Sequence, residues 1–301
     1  MQRENCAWCG QPLDETAERL EGRIRCARCG AATTDPWPTG EELERAYGEW
    51  YRPAGDGRRF SFGGEAILGR TRGLIAGRVD EIAPPGPVLD VGAGTGALVD
   101  ALARTGRDAT GLERGADSDR ADFRDESLDE VAGDGTWAAI VLWHALEHLP
   151  EPGDAIHQAA RLLRPGGVIA IAVPNSSSLQ AETFGDRWLH LDIPRHLVHL
   201  STESLTAGLE REGFRVERVS NLRGGQIAIG WLCGLVGSLP GGLDLYQALR
   251  RPDAQMARQS GAKRMLSIAA GVVLFPVALV ASAVEVAMRR GGTIYVEARH
   301  D

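Results

Sequence analysis

Three observations predict an α/β fold built on a largely parallel sheet. Short apolar segments alternate with stretches of helical pattern: Ala109 to Glu113, Trp137 to Trp143, Val168 to Val173 and Phe214 to Val219 each read as a strand between helices. The first strand, Val88-Leu89-Asp90-Val91, runs straight into Gly92-Ala93-Gly94-Thr95-Gly96-Ala97 and a helix over 97–104. An acid, Glu113, closes the second strand seventeen residues beyond Gly96. In a parallel sheet that position meets a ribose diol.

The elements follow in order. Residues 1–35 hold Cys6-Ala7-Trp8-Cys9-Gly10 and Cys26-Ala27-Arg28-Cys29-Gly30, with sixteen residues between the pairs. This C-x2-C-x16-C-x2-C spacing suits four thiolates around a structural zinc ion, Cys6, Cys9, Cys26 and Cys29, on a small ribbon too poor in apolar residues to fold without metal. Four thiolates leave no open position, so a catalytic zinc is not expected. Asp35 to Thr39 is a stiff linker, and Thr39 caps a helix that opens with Glu41 and Glu42. Tyr47, Trp50 and Tyr51 share one face of it, either packing on the main body or forming a lid. Residues 55–64 read as a loop, and Leu68 to Ile82 as a helix ended by Pro84-Pro85-Gly86-Pro87. Asp122 and Phe123 mark the neighbourhood of the third strand's end. Leu162-Leu163-Arg164-Pro165-Gly166-Gly167 reads as a helix end, and Thr293 to Ala298 as a last strand.

The glycine turn specifies a cofactor class only loosely. Glycines tolerate positive φ and close approach, and the following helix offers unpaired N–H groups. The turn fits a loosened dinucleotide fingerprint and equally the D-x-G-x-G-x-G turn of methyltransferases. The wider chain separates the two. The opening strand and turn, then Trp143-His144-Ala145-Leu146-Glu147-His148-Leu149, then Leu162 to Gly167, then Pro194-Arg195-His196-Leu197-Val198-His199-Leu200 occur in that order. In these motifs the chain resembles class I S-adenosylmethionine-dependent methyltransferases, in a branch with an N-terminal zinc ribbon, over roughly Cys6 to Val219 and the last ten residues. The resemblance implies a Rossmann-like seven-stranded sheet whose last strand is antiparallel. It also implies roles: Asp90, Gly92 and Gly94 for the methionine part of S-adenosylmethionine, Gly96 for the helix start, Glu113 for the ribose, Asp122 and Phe123 for the adenine, and Trp143 and His144 beside the cofactor.

Methyl transfer from a sulfonium is an in-line displacement, so the protein chiefly aligns the acceptor, and an oxygen acceptor gains from a base near neutral pKa. His144, His148, His190, His196 and His199 cluster in sequence. His148 or His196 is the candidate base and Arg195 the candidate clamp for an anionic group; the alternative is that they order local backbone. A metal held by the histidines is not favoured, for want of a carboxylate that sequence can place beside them.

Between the sixth and last strands lies an apolar helical insertion. Gln226 to Leu239 is apolar apart from small and amide residues, and Met265 to Met288 carries one charge, Glu285, and a central Pro276, with Lys263-Arg264 and Arg289-Arg290 on its flanks. Length and flanks meet the criterion for a membrane span, but a last strand in the sheet requires the chain to return to its own side. A surface-lying or re-entrant arm fits better, and a cap buried on the protein or in a homodimer is the alternative. Pro276 is placed to kink or divide the long helix. Cys233 among apolar residues is inert.

The organisation expected is thus 1–35 zinc ribbon, 36–83 linker and helical lid, 84–225 methyltransferase core, 226–292 apolar insertion, and 293–301 final strand. The net charge of −8, with no dense basic patch in the ribbon, argues against nucleic acid. From Gln226 onward Lys/Arg outnumber Asp/Glu by eight to five, consistent with an anionic surface. From the paired C-x-x-C motifs and an N-terminus without a basic-then-apolar leader, a cytoplasmic location is expected, with the inner membrane face as a candidate contact through 226–288. The function expected is methyl transfer to a lipophilic or saccharide-like small molecule. The alternatives are a nicotinamide-dependent oxidoreductase, which lacks a hydride-transfer constellation, and a catalytically inactive scaffold.

Overall fold

The computed structural model describes residues 3–51, 60, 64–114, 120–221, 224–251 and 259–301; the loop expected over 55–64 falls almost wholly outside them. A small antiparallel ribbon comes first: β1 (Glu18–Leu20), β2 (Arg23–Arg25) and β3 (Ala32–Thr34). Helices α1 (Gly40–Tyr51) and α2 (Gly64–Ile82) follow. Thr39 starts α1 as a reciprocal cap, its hydroxyl accepting from the Glu42 N–H while the Glu42 carboxylate accepts from the Thr39 N–H. Then come β4 (Val88–Val91), α3 (Ala97–Arg104), β5 (Ala109–Leu112), β6 (Phe123–Arg124), β7 (Trp137–Trp143), a single 3-10 turn at Leu146–His148, α4 (Pro152–Leu162) and β8 (Leu163–Pro174). The chain continues with α5 (Leu179–Phe184), β9 (Val198–His199), α6 (Thr202–Arg211) and β10 (Phe214–Ser220). It ends with α7 (Gly224–Gly237), α8 (Leu245–Leu249), α9 (Gly261–Ala287) and β11 (Thr293–His300).

The main sheet has seven strands in the order β10-β11-β8-β7-β4-β5-β6, and β11 runs antiparallel to both neighbours. The expected architecture is therefore observed. β7 sits centrally, and Ala138 to Leu142 are wholly buried, which is why that strand is apolar without alternation. Two boundaries differ from expectation. Asp122 precedes β6 instead of ending it, because Phe123 and Arg124 pair with Gly111 and Leu112. Leu163 to Gly167 join β8 instead of ending a helix; Leu163 pairs with Trp137, and a register shift follows as Gly166 turns to φ 74°.

One face of the sheet packs with Ile156, Leu205 and Leu209, and the same apolar cluster contains Cys6, Trp8, Cys26 and Ala31. The ribbon is thus welded to the body. The Trp8 indole N–H donates to the Ser204 carbonyl at 2.9 Å, and a Cβ on Gly208 would lie 2.1 Å from the Trp8 ring. β9 adds a fourth strand to the ribbon sheet. The other face packs with Ile75, Val79, Leu98 and Leu102 of α2 and α3.

α7, α8 and α9 form an arm. α9 has 27 residues, about 40 Å at 1.5 Å per residue, and is a single element through Pro276. Ser267, Gly271, Ala278 and Glu285 form its buried seam. The Glu285 carboxylate accepts from the Gln180 backbone and side-chain N–H groups and from the Trp231 indole. Much of the rest of α9 is apolar and exposed: Val272, Val273 and Val280 are 71%, 74% and 67% exposed.

Candidate cofactor and acceptor site

The glycine turn leaves β4 at the carboxyl edge of the sheet. Gly92, Gly94 and Gly96 all have positive φ, at 73°, 56° and 80°. A Cβ on Gly92 would stand 2.7 Å from that of Ala145, and one on Gly96 would stand 2.7 Å from the Phe123 ring. The turn is therefore closed to side chains from both sides. Among the described residues no side chain caps α3, so its first N–H groups face outward. At the end of β5 the Glu113 carboxylate accepts from the Gly94 N–H at 2.7 Å. Asp90 lies beneath the turn, 2% exposed, and burial, then the Glu113 charge, push its carboxyl up to about 8. A glycine-rich cradle, an uncapped helix start and an adjacent carboxylate together fit S-adenosylmethionine.

Phe123 lies against this cradle. Asp122 does not: it is ion-paired with Arg120, which also holds Asp100 and stacks over Phe123. The adenine role expected of Asp122 therefore has no geometric support, because the strand begins one residue later. The residues leaving β6 toward the cofactor edge are Asp125 and Glu126, which sequence spacing missed. Trp143 and His144 end β7 beside the turn, their rings edge-on at 5.9 Å. His144 adopts φ 53°, and its Nδ1 lies 3.2 Å from a Glu147 oxygen.

The 3-10 turn after β7 and the segment before β9 meet through one backbone bond, from Leu197 N–H to the Glu147 carbonyl at 2.7 Å. This brings His148 and His196 together, ring centroids 4.7 Å apart. The His148 Nδ1 lies 3.0 Å from the Arg195 carbonyl and 2.9 Å from the Tyr47 hydroxyl. The His196 Nδ1 lies 2.9 Å from the His190 carbonyl. Burial lowers the pKa of His196 well below the usual imidazole range, and holds His190 down to about 4 and His199 to about 3. Glu147, only 2% exposed, keeps one oxygen, Oε2, without a hydrogen-bond partner among the described residues.

Not every expected group joins this cluster. The Arg195 side chain is buried and its guanidinium is bound to Asp192. The clamp expected of it is thereby corrected: the charge is spent on its own loop. His199 faces the ribbon, its Nε2 3.1 Å from the Thr34 hydroxyl. Tyr47 of α1 does reach the site, through His148; the side chains at 49–51 lie outside the described residues. Glu147 is the residue that sequence reasoning passed over, although it stands beside His148 in the Trp143 to Leu149 stretch.

The four cysteines converge. Cys6 and Cys29 sulfurs lie 3.7 Å apart, and Cys9 and Cys26 sulfurs 3.8 Å. A tetrahedron of about 2.3 Å metal–sulfur bonds has edges of about 3.8 Å. A hydrogen bond from Cys29 holds the Cys6 thiol down to about 5, against its burial, while burial lifts Cys9 to about 11. The four sulfurs are thus spaced as ligands of one tetrahedral cation would be.

Comparisons with known proteins agree with this geometry. A family model described as a methyltransferase domain matches residues 68–219, half of the chain. A ubiquinone biosynthesis O-methyltransferase of Xanthomonas oryzae pv. oryzae (strain PXO99A) is 28% identical over 155 residues, covering 45% of this chain and 65% of that protein. One from Klebsiella pneumoniae (strain 342) is 31% identical over 116 residues, covering 34% and 45%. The chain thus spans less than two thirds of the length of these curated relatives. Among solved structures, the [4+2]-cyclase SpnF matches with a TM-score of 0.52 over 87% of this chain and 96% of its own, at 20% identity, a likeness of fold.

Proposed function

The chain belongs to the class I S-adenosylmethionine-dependent methyltransferase family, and from that premise we propose that it transfers a methyl group to a lipophilic or saccharide-like small molecule at a membrane surface. The observation that carries the reading is the turn after β4, with three glycines at positive φ and the Glu113 carboxylate at its lip. S-adenosylmethionine, when bound, supplies a methyl group already activated on a sulfonium.

The residues then divide the work. Gly92, Gly94 and Gly96 give the turn its positive-φ shape against the donor, Asp90 lies beneath its methionine part, Glu113 takes the ribose hydroxyls, and Phe123, Trp143 and His144 pack around it. His148 stands at the acceptor side. Its Nδ1 proton is held by the Arg195 carbonyl, leaving Nε2 free to receive a proton from an acceptor hydroxyl. His196 and Arg195 position that loop. The four cysteines hold a structural zinc ion, which fixes the ribbon against α6.

α9 supports the reading of a membrane surface and, with it, a lipophilic acceptor. A long, exposed, apolar helix with Lys263, Arg264, Arg289 and Arg290 near its ends suits the cytoplasmic face of an anionic bilayer. Labelled-methyl transfer into extracts split into lipid, glycan and water-soluble pools tests the reading. Label in the lipid or glycan pool is expected; no transfer to any pool, with S-adenosylmethionine bound in calorimetry, leaves a cofactor-binding scaffold in its place. Flotation with anionic vesicles tests the surface. A protein that remains a soluble monomer beside them excludes it.

A further inference from the structure

We propose that Glu147, His148 and His196 form a second metal site, which takes a divalent first-row transition-metal ion. One donor atom from each residue lies within 4.8 Å of the other two. The tautomers follow from the hydrogen bonds. A carbonyl oxygen only accepts, so the contacts to the Arg195 and His190 carbonyls place the proton of each imidazole on Nδ1. Each Nε2 then carries a lone pair. This is the arrangement of metal-bound histidines, whose second ring nitrogen donates to a backbone carbonyl and so fixes ring and tautomer.

The carboxylate supplies the independent sign. Glu147 is buried, its Oε1 faces His144 Nδ1 at 3.2 Å, and its Oε2 has no hydrogen-bond partner among the described residues. A carboxylate oxygen taken from water without a partner costs free energy on the order of several kcal/mol. The buried Glu285 carboxylate, by contrast, accepts three hydrogen bonds. A cation beside Oε2 and two imidazole lone pairs resolves the deficit. Two histidines and one carboxylate leave coordination positions open, and nitrogen–oxygen donor sets of this kind suit Mn, Fe, Co, Ni or Zn more than Mg or Ca.

The site backs onto the cofactor turn, since Ala145 is the residue that excludes a side chain from Gly92. The proposal rests on the methyl-transfer reading for the use of the ion, not for its binding. In that use the ion's open positions hold an acceptor oxygen and acidify its hydroxyl, and the His148 Nε2 serves as ligand in place of base.

The test is a Co2+ titration of the full-length, zinc-loaded protein without S-adenosylmethionine. Co2+ on nitrogen and oxygen gives visible d–d bands without the intense thiolate charge transfer that Co2+ in the cysteine site produces. One equivalent with a thiolate-free spectrum is expected, with affinity at least about a hundredfold weaker in Glu147→Gln and His196→Gln. The wild-type spectrum and stoichiometry stand even where a variant fails to fold. No thiolate-free equivalent in the wild type, or unchanged affinity in a folded Glu147→Gln protein, overturns the site. Because binding is read without turnover, a bound ion with no methyl transfer overturns the functional reading alone.

Discussion

The ribbon and the junction after β7 each gather ligand-type side chains, and they do so by opposite routes. Cys6, Cys9, Cys26 and Cys29 come from one short stretch, with Gly10 and Gly30 donating back to the Cys6 and Cys26 carbonyls at 2.9 Å in two equivalent turns. Glu147, His148 and His196 come from the end of a central strand and from a loop nearly fifty residues later, joined by the Leu197 to Glu147 bond. The first set is a property of local spacing. The second exists only once β7 is buried and the segment before β9 has folded across it. A locally built site answers to its own ligands; a remotely built one answers to any change in the packing around it.

The largest effect that separates them is expected at the ribbon. Cys26→Ser removes one ligand of the zinc ion proposed for the ribbon, and strong chelation removes the ion itself. Because Cys6, Cys26 and Trp8 belong to the main apolar cluster, the loss spreads into the body. A cost of several kcal/mol, about 10 °C or more in Tm, is expected in thermal melts. A melt unchanged by chelation would reduce the ribbon to an ornament on a self-sufficient core.

An intermediate effect is expected at Gly92. Gly92→Ala forces a side chain into positive φ, about 1–2 kcal/mol, and into contact with Ala145, which leads the turn carrying Glu147 and His148. S-adenosylmethionine affinity is expected to fall tenfold or more in calorimetry, with the cysteine site's Co2+ spectrum unchanged. Equal disturbance of the cysteine spectrum would erase the distinction between local and remote assembly.

The smallest effect lies at the seam between the regions. His199 is buried, bonded to Thr34 of the ribbon, and held down to about 3. An imidazole with a lowered folded pKa stabilises the protein above its ordinary value of about 6.5 and loses that contribution as pH falls toward 3. His199→Gln is expected to leave the Tm at pH 7.5 within a few degrees and to flatten its decline between pH 6.5 and 4. An equally steep decline in the variant would place the acid-sensitive joint elsewhere.

Much was legible without coordinates. Val88 to Val91, Trp137 to Trp143 and the helix over 97–104 match their elements, because burial on both faces writes itself as continuous apolar runs and because glycine alone tolerates the turn between. The cysteine spacing showed a four-ligand set for the same reason: its geometry is local. What sequence misplaced are positions set by partners. The start of β6 depends on which residues Gly111 and Leu112 find opposite them, and Leu163 becomes strand because Trp137 does. Arg195 read as a free cation until Asp192 took it. Glu147 stood in plain sight beside His148, but its orphaned oxygen is a fact about burial, and burial is decided by the whole fold. The sequence by itself determined the sheet, the glycine cradle and the cysteine set, since each rests on periodicity or spacing within a short stretch. Only the tertiary structure decided which histidines meet, what Arg195 binds and that the Glu147 Oε2 has no hydrogen-bond partner among the described residues, because those outcomes depend on segments distant in the chain competing for the same space.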